Sequence, residues 1–116
     1  MYIDAGATIV DTPAQVYDDS EMVMHVKEPQ PSEYDLIKKD QIVFTYLHLA
    51  ADKGLTQALL QTGSVGIAYE TIEDTKGGLP LLAPMSEVAG RLATQQGAKY
   101  LERTFGGRGL LLGGVT

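Results

Sequence analysis

Met22-Val23-Met24-His25-Val26-Lys27-Glu28-Pro29 is the stretch that decides how this chain folds. An apolar, β-like run ends on a lysine, and a proline two residues later stops it. A second stretch, Thr45-Tyr46-Leu47-His48-Leu49-Ala50, repeats the arrangement with an imidazole at its end. Two such runs suit neighbouring strands of an open parallel sheet, whose ligands sit beyond the strand carboxyl ends. A cation and an imidazole there would hold a small carboxylate and move a proton. That is the chemistry of an amino-acid or keto-acid enzyme.

Working outward, residues 7–10, 22–26, 42–47 and 65–69 read as strands. They are near-continuously apolar, as strands covered on both faces tend to be. Helix signals lie between them. Thr12-Pro13 offers an N-cap and a first-turn proline before a helix over 14–18. Ser32 is expected to cap 33–39, and 55–61 reads as a short amphipathic turn ending at Gly63. A loop over 73–80 contains Gly77-Gly78 and precedes 81–84. The longest helix is predicted from Ser86 to about Arg103, with Val88, Ala89, Leu92 and Ala93 on one face. Lys99 and Arg103 then lie near the negative end of its dipole. The alternation predicts an α/β fold: a partial open parallel sheet with flanking helices and right-handed crossovers.

At 116 residues the chain is expected to be one domain, 1–116, with a single modest core. Hydrophobic residues at 44% and charged residues at 21% are ordinary globular values. A net charge of -6 argues against electrostatic nucleic-acid binding. With no cysteine there is no disulfide framework and no thiolate metal site. No apolar run approaches the ~18 residues that span a bilayer, and Met1-Tyr2-Ile3-Asp4 has no signal-peptide pattern. A cytoplasmic protein is therefore expected. The chain opens almost at once on a turn and closes on the apolar stretch Gly109-Leu110-Leu111-Leu112-Gly113-Gly114-Val115-Thr116. Both features suggest a piece of a larger fold, with exposed apolar edges that would favour homo-oligomers.

Lys27 precedes Glu28-Pro29, where proline restricts the backbone to extended geometry, so its ammonium suits a carboxylate or carbonyl anchor. A solvated strand-end lysine has the same signature. An imidazole suits general acid–base work, and His48 supplies one at the strand end, although a lone histidine beside apolar residues is also an ordinary packed one. Tyr46 shares its face if the run is strand, and either supports the site or fills core. Glu70 ends the next strand and would orient Lys27 or His48, or simply face solvent. His25 shares the Lys27 face, but two histidines 23 positions apart make a weak metal pair, so no metal is expected. Met85-Ser86-Glu87 would open the long helix and present an anion-binding end, with N-capping the default role of Ser86. Gly106-Gly107-Arg108-Gly109 has the wrong spacing for a dinucleotide loop, and there is no P-loop or nucleophile elbow.

Taken together, several long motifs resemble the N-terminal substrate domain of bacterial alanine dehydrogenase. They include 22–29, Phe44-Thr45-Tyr46-Leu47-His48-Leu49-Ala50-Ala51, Ala68-Tyr69-Glu70-Thr71, the run from Leu79 to Arg91, and that from Gly106 to Val115. The resemblance implies a Rossmann/flavodoxin-like substrate domain. It also implies that Lys27 binds the keto-acid carboxylate and carbonyl, and that His48 is the acid–base residue. Tyr46 and Glu70 would support them, while Met85 and Ser86 would lie near the nicotinamide of NAD. The family oxidises L-alanine with NAD to pyruvate and ammonia. The family's opening strand–helix–strand with its arginine, its Rossmann cofactor domain and its closing helices have no counterpart in these 116 residues. Activity of this chain alone is therefore not expected. His25 stands where the family often has lysine. The NAD-binding component of proton-translocating transhydrogenase shares the architecture but lacks the matching lysine and histidine. A non-catalytic assembly module, pairing through residues 110–112, is the remaining alternative.

Overall fold

The computed structural model describes residues 1–114; the last two residues of the apolar C-terminal stretch, Val115 and Thr116, lie outside the described residues. The chain divides into two compact units, Met1–Thr71 and a second beginning at Ile72. The first holds a three-stranded parallel sheet in sequence order: β1 (Met22–Met24), β2 (Ile42–Thr45) and β3 (Val65–Ala68). Met24 pairs with Phe44, and Phe44 with Ile67, so the three strands end near the same level.

Around the sheet run α1 (Pro13–Asp19), a 3₁₀ turn (Pro31–Leu36) and α2 (Lys53–Thr62). Thr12 caps α1 reciprocally with Gln15, as the Thr12-Pro13 signal predicts. Asp52 accepts from the Leu55 amide at the start of α2, and Gly63 ends that helix at φ 67°. The core gathers Tyr17, Ile37 and Leu59 against Val23, Val43 and Leu47. Gln41, buried, donates from Nε2 to the Tyr17 and Ser20 carbonyls, both at 2.8 Å, and so satisfies the end of α1.

Several expectations are corrected. Residues 7–10 form no strand: β1 pairs with β2 alone, and a strand without a ladder partner is only extended chain. The segment over 33–39 is a 3₁₀ turn that starts earlier, at Pro31. There the Glu33 carboxylate accepts from the Gln30 amide at 2.7 Å, and Ser32 lies inside the turn instead of capping it. The strands are shorter than their apolar runs and are not covered on both faces. Val23 and Val43 are buried, whereas Met22, Met24, Val65 and Ile67 are exposed.

In the second unit α3 runs Ala83–Leu101, three residues earlier at its start than the sequence suggests. Pro84 is tolerated within a first helical turn, so the helix opens around it. Ser86 is thus inside the helix and not its cap. The glycine-rich stretch folds back over the helix end: Gly107 donates to the Glu102 carbonyl at 2.9 Å and Gly109 to that of Leu101 at 2.8 Å. A Cβ at Gly107 would collide with the Tyr100 carbonyl oxygen and the Leu101 backbone. Capping a helix, and not cradling phosphate, accounts for those glycines. No helix among the described residues is long and apolar enough to cross a membrane.

Candidate active site

The site is built where β1 and β2 stop. Beyond Met24 the chain carries on through Lys27 to Pro29, and Thr45, fully buried, donates from Oγ1 to the Lys27 carbonyl at 2.7 Å. This bond ties the segment after β1 to the end of β2. The Lys27 side chain is exposed. Its charge reaches Glu28, whose carboxyl lies below the usual range. That shift comes first from its own backbone amide and then from His48, against a smaller opposing effect of burial.

β2 does not continue to residue 47. The Glu70 carboxylate takes two amides just beyond it: Oε1 accepts from His48 N–H at 2.8 Å and from Leu47 N–H at 3.1 Å. His48 is thereby held in the left-handed region, at φ 47° and ψ 36°, which costs a non-glycine residue about 1 kcal/mol or more. Burial raises the Glu70 pKa, but the amides of His48, Glu70 itself and Leu47 outweigh it and leave it lowered. Tyr46 is buried and stacks on the imidazole, ring centroids 5.9 Å apart and planes 16° from parallel. Tyr69 packs edge-on against Tyr46 at 5.0 Å. The imidazole, half exposed, has Nδ1 3.2 Å from Glu28 Oε2.

Tyr46, Glu70 and His48 are thus brought together, with Lys27 one residue from the carboxylate that reaches the imidazole. A concave surface of about 410 Å³ lies on the Glu70 side of His48, walled by Leu47, Ala50, Ala68 and Thr71; Lys27 is not in that wall. Met85 and Ser86 belong to the second unit, in the first turn of α3. Their amides both donate to the Leu82 carbonyl at 3.1 Å, and Pro84 has no N–H, so the anion-binding end expected there is already occupied. Among the described residues no three His, Asp or Glu side chains gather to hold a metal ion. His25 instead lies near Tyr17, ring centroids 6.2 Å apart. Sequence reasoning gave no role to Glu28 or Thr45.

The family described as "Alanine dehydrogenase/PNT, N-terminal domain" matches residues 1–89. The chain belongs to that family. It is 58% identical over 111 residues to alanine dehydrogenase of Mycolicibacterium smegmatis and 55% identical over 114 residues to that of Methanococcus maripaludis. Alanine dehydrogenase of Bacillus subtilis is 56% identical over 114 residues. These alignments take in 96%, 98% and 98% of this chain but 30%, 31% and 30% of the relatives. A solved L-alanine dehydrogenase superposes with a TM-score of 0.78 at 56% identity, covering 98% of this chain and 31% of that one. The chain therefore spans about 30% of the length of the alanine dehydrogenases it matches. Its parallel α/β sheet is that of the family.

Proposed function

We propose that this chain is the substrate-binding part of an NAD-dependent alanine dehydrogenase, an oxidoreductase that converts L-alanine, NAD and water to pyruvate, ammonia and NADH. The observation that carries this reading is the meeting of Lys27-Glu28 and His48 at adjacent parallel strand ends, with Glu70 fixing the His48 backbone. Lys27, an exposed point charge, docks the carboxylate and carbonyl of pyruvate. His48 takes and returns the protons that imine formation and hydrolysis require. Tyr46 supports the imidazole by stacking, and Glu70 supports it through the backbone. Met85, half exposed, and Ser86 offer a thioether and a hydroxyl but no free amide, which suits a nicotinamide ring and not a phosphate. NAD, when bound, takes up the hydride from the substrate α-carbon. The reading implies a cytoplasmic enzyme, and by itself the chain is expected to give no alanine-dependent NADH.

Pyruvate titrated into the chain is expected to shift the His48 and Lys27 NMR signals saturably. Lys27→Ala should weaken that binding at least tenfold, as removal of a charge-assisted contact does. Shifts that persist undiminished in Lys27→Ala, or no shifts at all, would overturn the substrate-site reading. The exposed Leu111 and Leu112 favour a second reading, an assembly surface pairing copies of the chain. Sedimentation that depends on concentration and is abolished by Leu111→Ser would support it.

A further inference from the structure

The register of β1 on β2 offsets residues by twenty: Met22 opposite Ile42, Val23 opposite Val43, Met24 opposite Phe44. Carried four residues past the last pair, the same offset sets Glu28 opposite His48, and there their side chains meet, Oε2 to Nδ1 at 3.2 Å. Pro29 limits the Glu28 backbone to extended geometry, and Gln30 Nε2 donates to the Glu28 carbonyl at 3.0 Å. The Glu28 backbone is therefore held on its own side while Glu70 holds the His48 backbone on the other. An ionised carboxylate only accepts hydrogen bonds, so the ring nitrogen facing it must be the donor. The other nitrogen, Nε2, is left without a proton in the neutral ring.

We propose that Glu28 is a positioning residue that fixes His48 as the Nδ1–H tautomer and so assigns acid–base work to Nε2. This rests on His48 being the acid–base residue, but its test does not. The charged groups facing the ring are Glu28 and Glu70, with Lys27 acting on Glu28, and Tyr46 stacks on the ring. The carboxyls of Glu28 and Glu70 both lie below the usual range, so at about pH 8 both are ionised acceptors when the tautomer is read.

Long-range ¹H–¹⁵N correlation spectra of the imidazole distinguish the tautomers directly. The wild-type chain should show mostly Nδ1–H. Glu28→Ala should move the tautomer ratio about fivefold toward Nε2–H, the size expected of a solvent-exposed pair. Glu28→Gln, which keeps the side-chain length, should move it part of the way. Backbone amide spectra report whether each variant stays folded, and a purely structural role for Glu28 would leave the ratio unmoved. A wild-type ring that is mostly Nε2–H, or a ratio indifferent to both substitutions, overturns the proposal. If the tautomer depends on Glu28 but pyruvate does not bind, the positioning role stands and the substrate reading falls. Pyruvate binding with an indifferent tautomer sinks the positioning role alone.

Discussion

Between pH 10 and 12 the unit Met1–Thr71 is expected to lose about 3 kcal/mol of stability that a Tyr17→Phe variant keeps. The Tyr17 side chain is fully buried, and its hydroxyl has no hydrogen-bond partner among the described residues. Burial pushes its pKa from 10.0 to about 12, and the Glu33 carboxylate adds to the shift. Below pH 10 the phenol is neutral in folded and unfolded chains alike, so the contribution is intact. Above it the unfolded chain gives up a proton that the folded chain retains, and stability falls until the folded pKa is passed. At neutral pH the same substitution should stabilise by roughly 1 kcal/mol, because it removes a buried hydroxyl with nothing to bind. Urea midpoints of both proteins, followed at about pH 8 and about pH 11, test the pair of claims. A gap between them that does not widen with pH would refute the first.

The second large effect belongs to Glu70. Glu70→Ala should cost about 3 kcal/mol and release His48 from its left-handed conformation. Two amides lose a charged acceptor, and nothing then offsets the strained backbone. Glu70→Gln keeps one acceptor oxygen and should fall between. The dependence on acid follows from the lowered pKa of Glu70. The stabilisation is present above the ordinary carboxyl value of 4.5 and is lost as pH falls through the lower folded value. Backbone chemical shifts and three-bond couplings at His48, read alongside urea melts, measure both parts. An unchanged His48 backbone in Glu70→Ala would remove Glu70 from the account.

The parallel order of β1, β2 and β3 was legible because the apolar runs recur with helix signals between them. Lys27 and His48 stood out because each ends such a run. What local pattern could not show is where β2 stops: it stops at Thr45, and beyond it a carboxylate more than twenty residues away captures the Leu47 and His48 amides. Tyr46 and His48 stack beyond the end of the strand, although a continued strand would also have put them on one face. The strand read at 7–10 failed because apolar composition does not supply a ladder partner. Pro84, taken as part of a preceding segment, was the marker of the α3 start. Glu28 was readable in principle, since the twenty-residue offset between β1 and β2 brings it to His48. That offset emerges only once the pairing is known.

On the acid–base role proposed for His48, its left-handed backbone sets two selective pressures against each other. Asparagine would sit more comfortably at φ 47° and glycine would sit there without steric penalty, so a search for stability alone drifts away from histidine at this position. Neither replacement carries a proton near neutrality. Descendants of such a chain that no longer needed proton transfer would be free to relax here first, which makes the residue at position 48 a record of whether the chemistry is still in use.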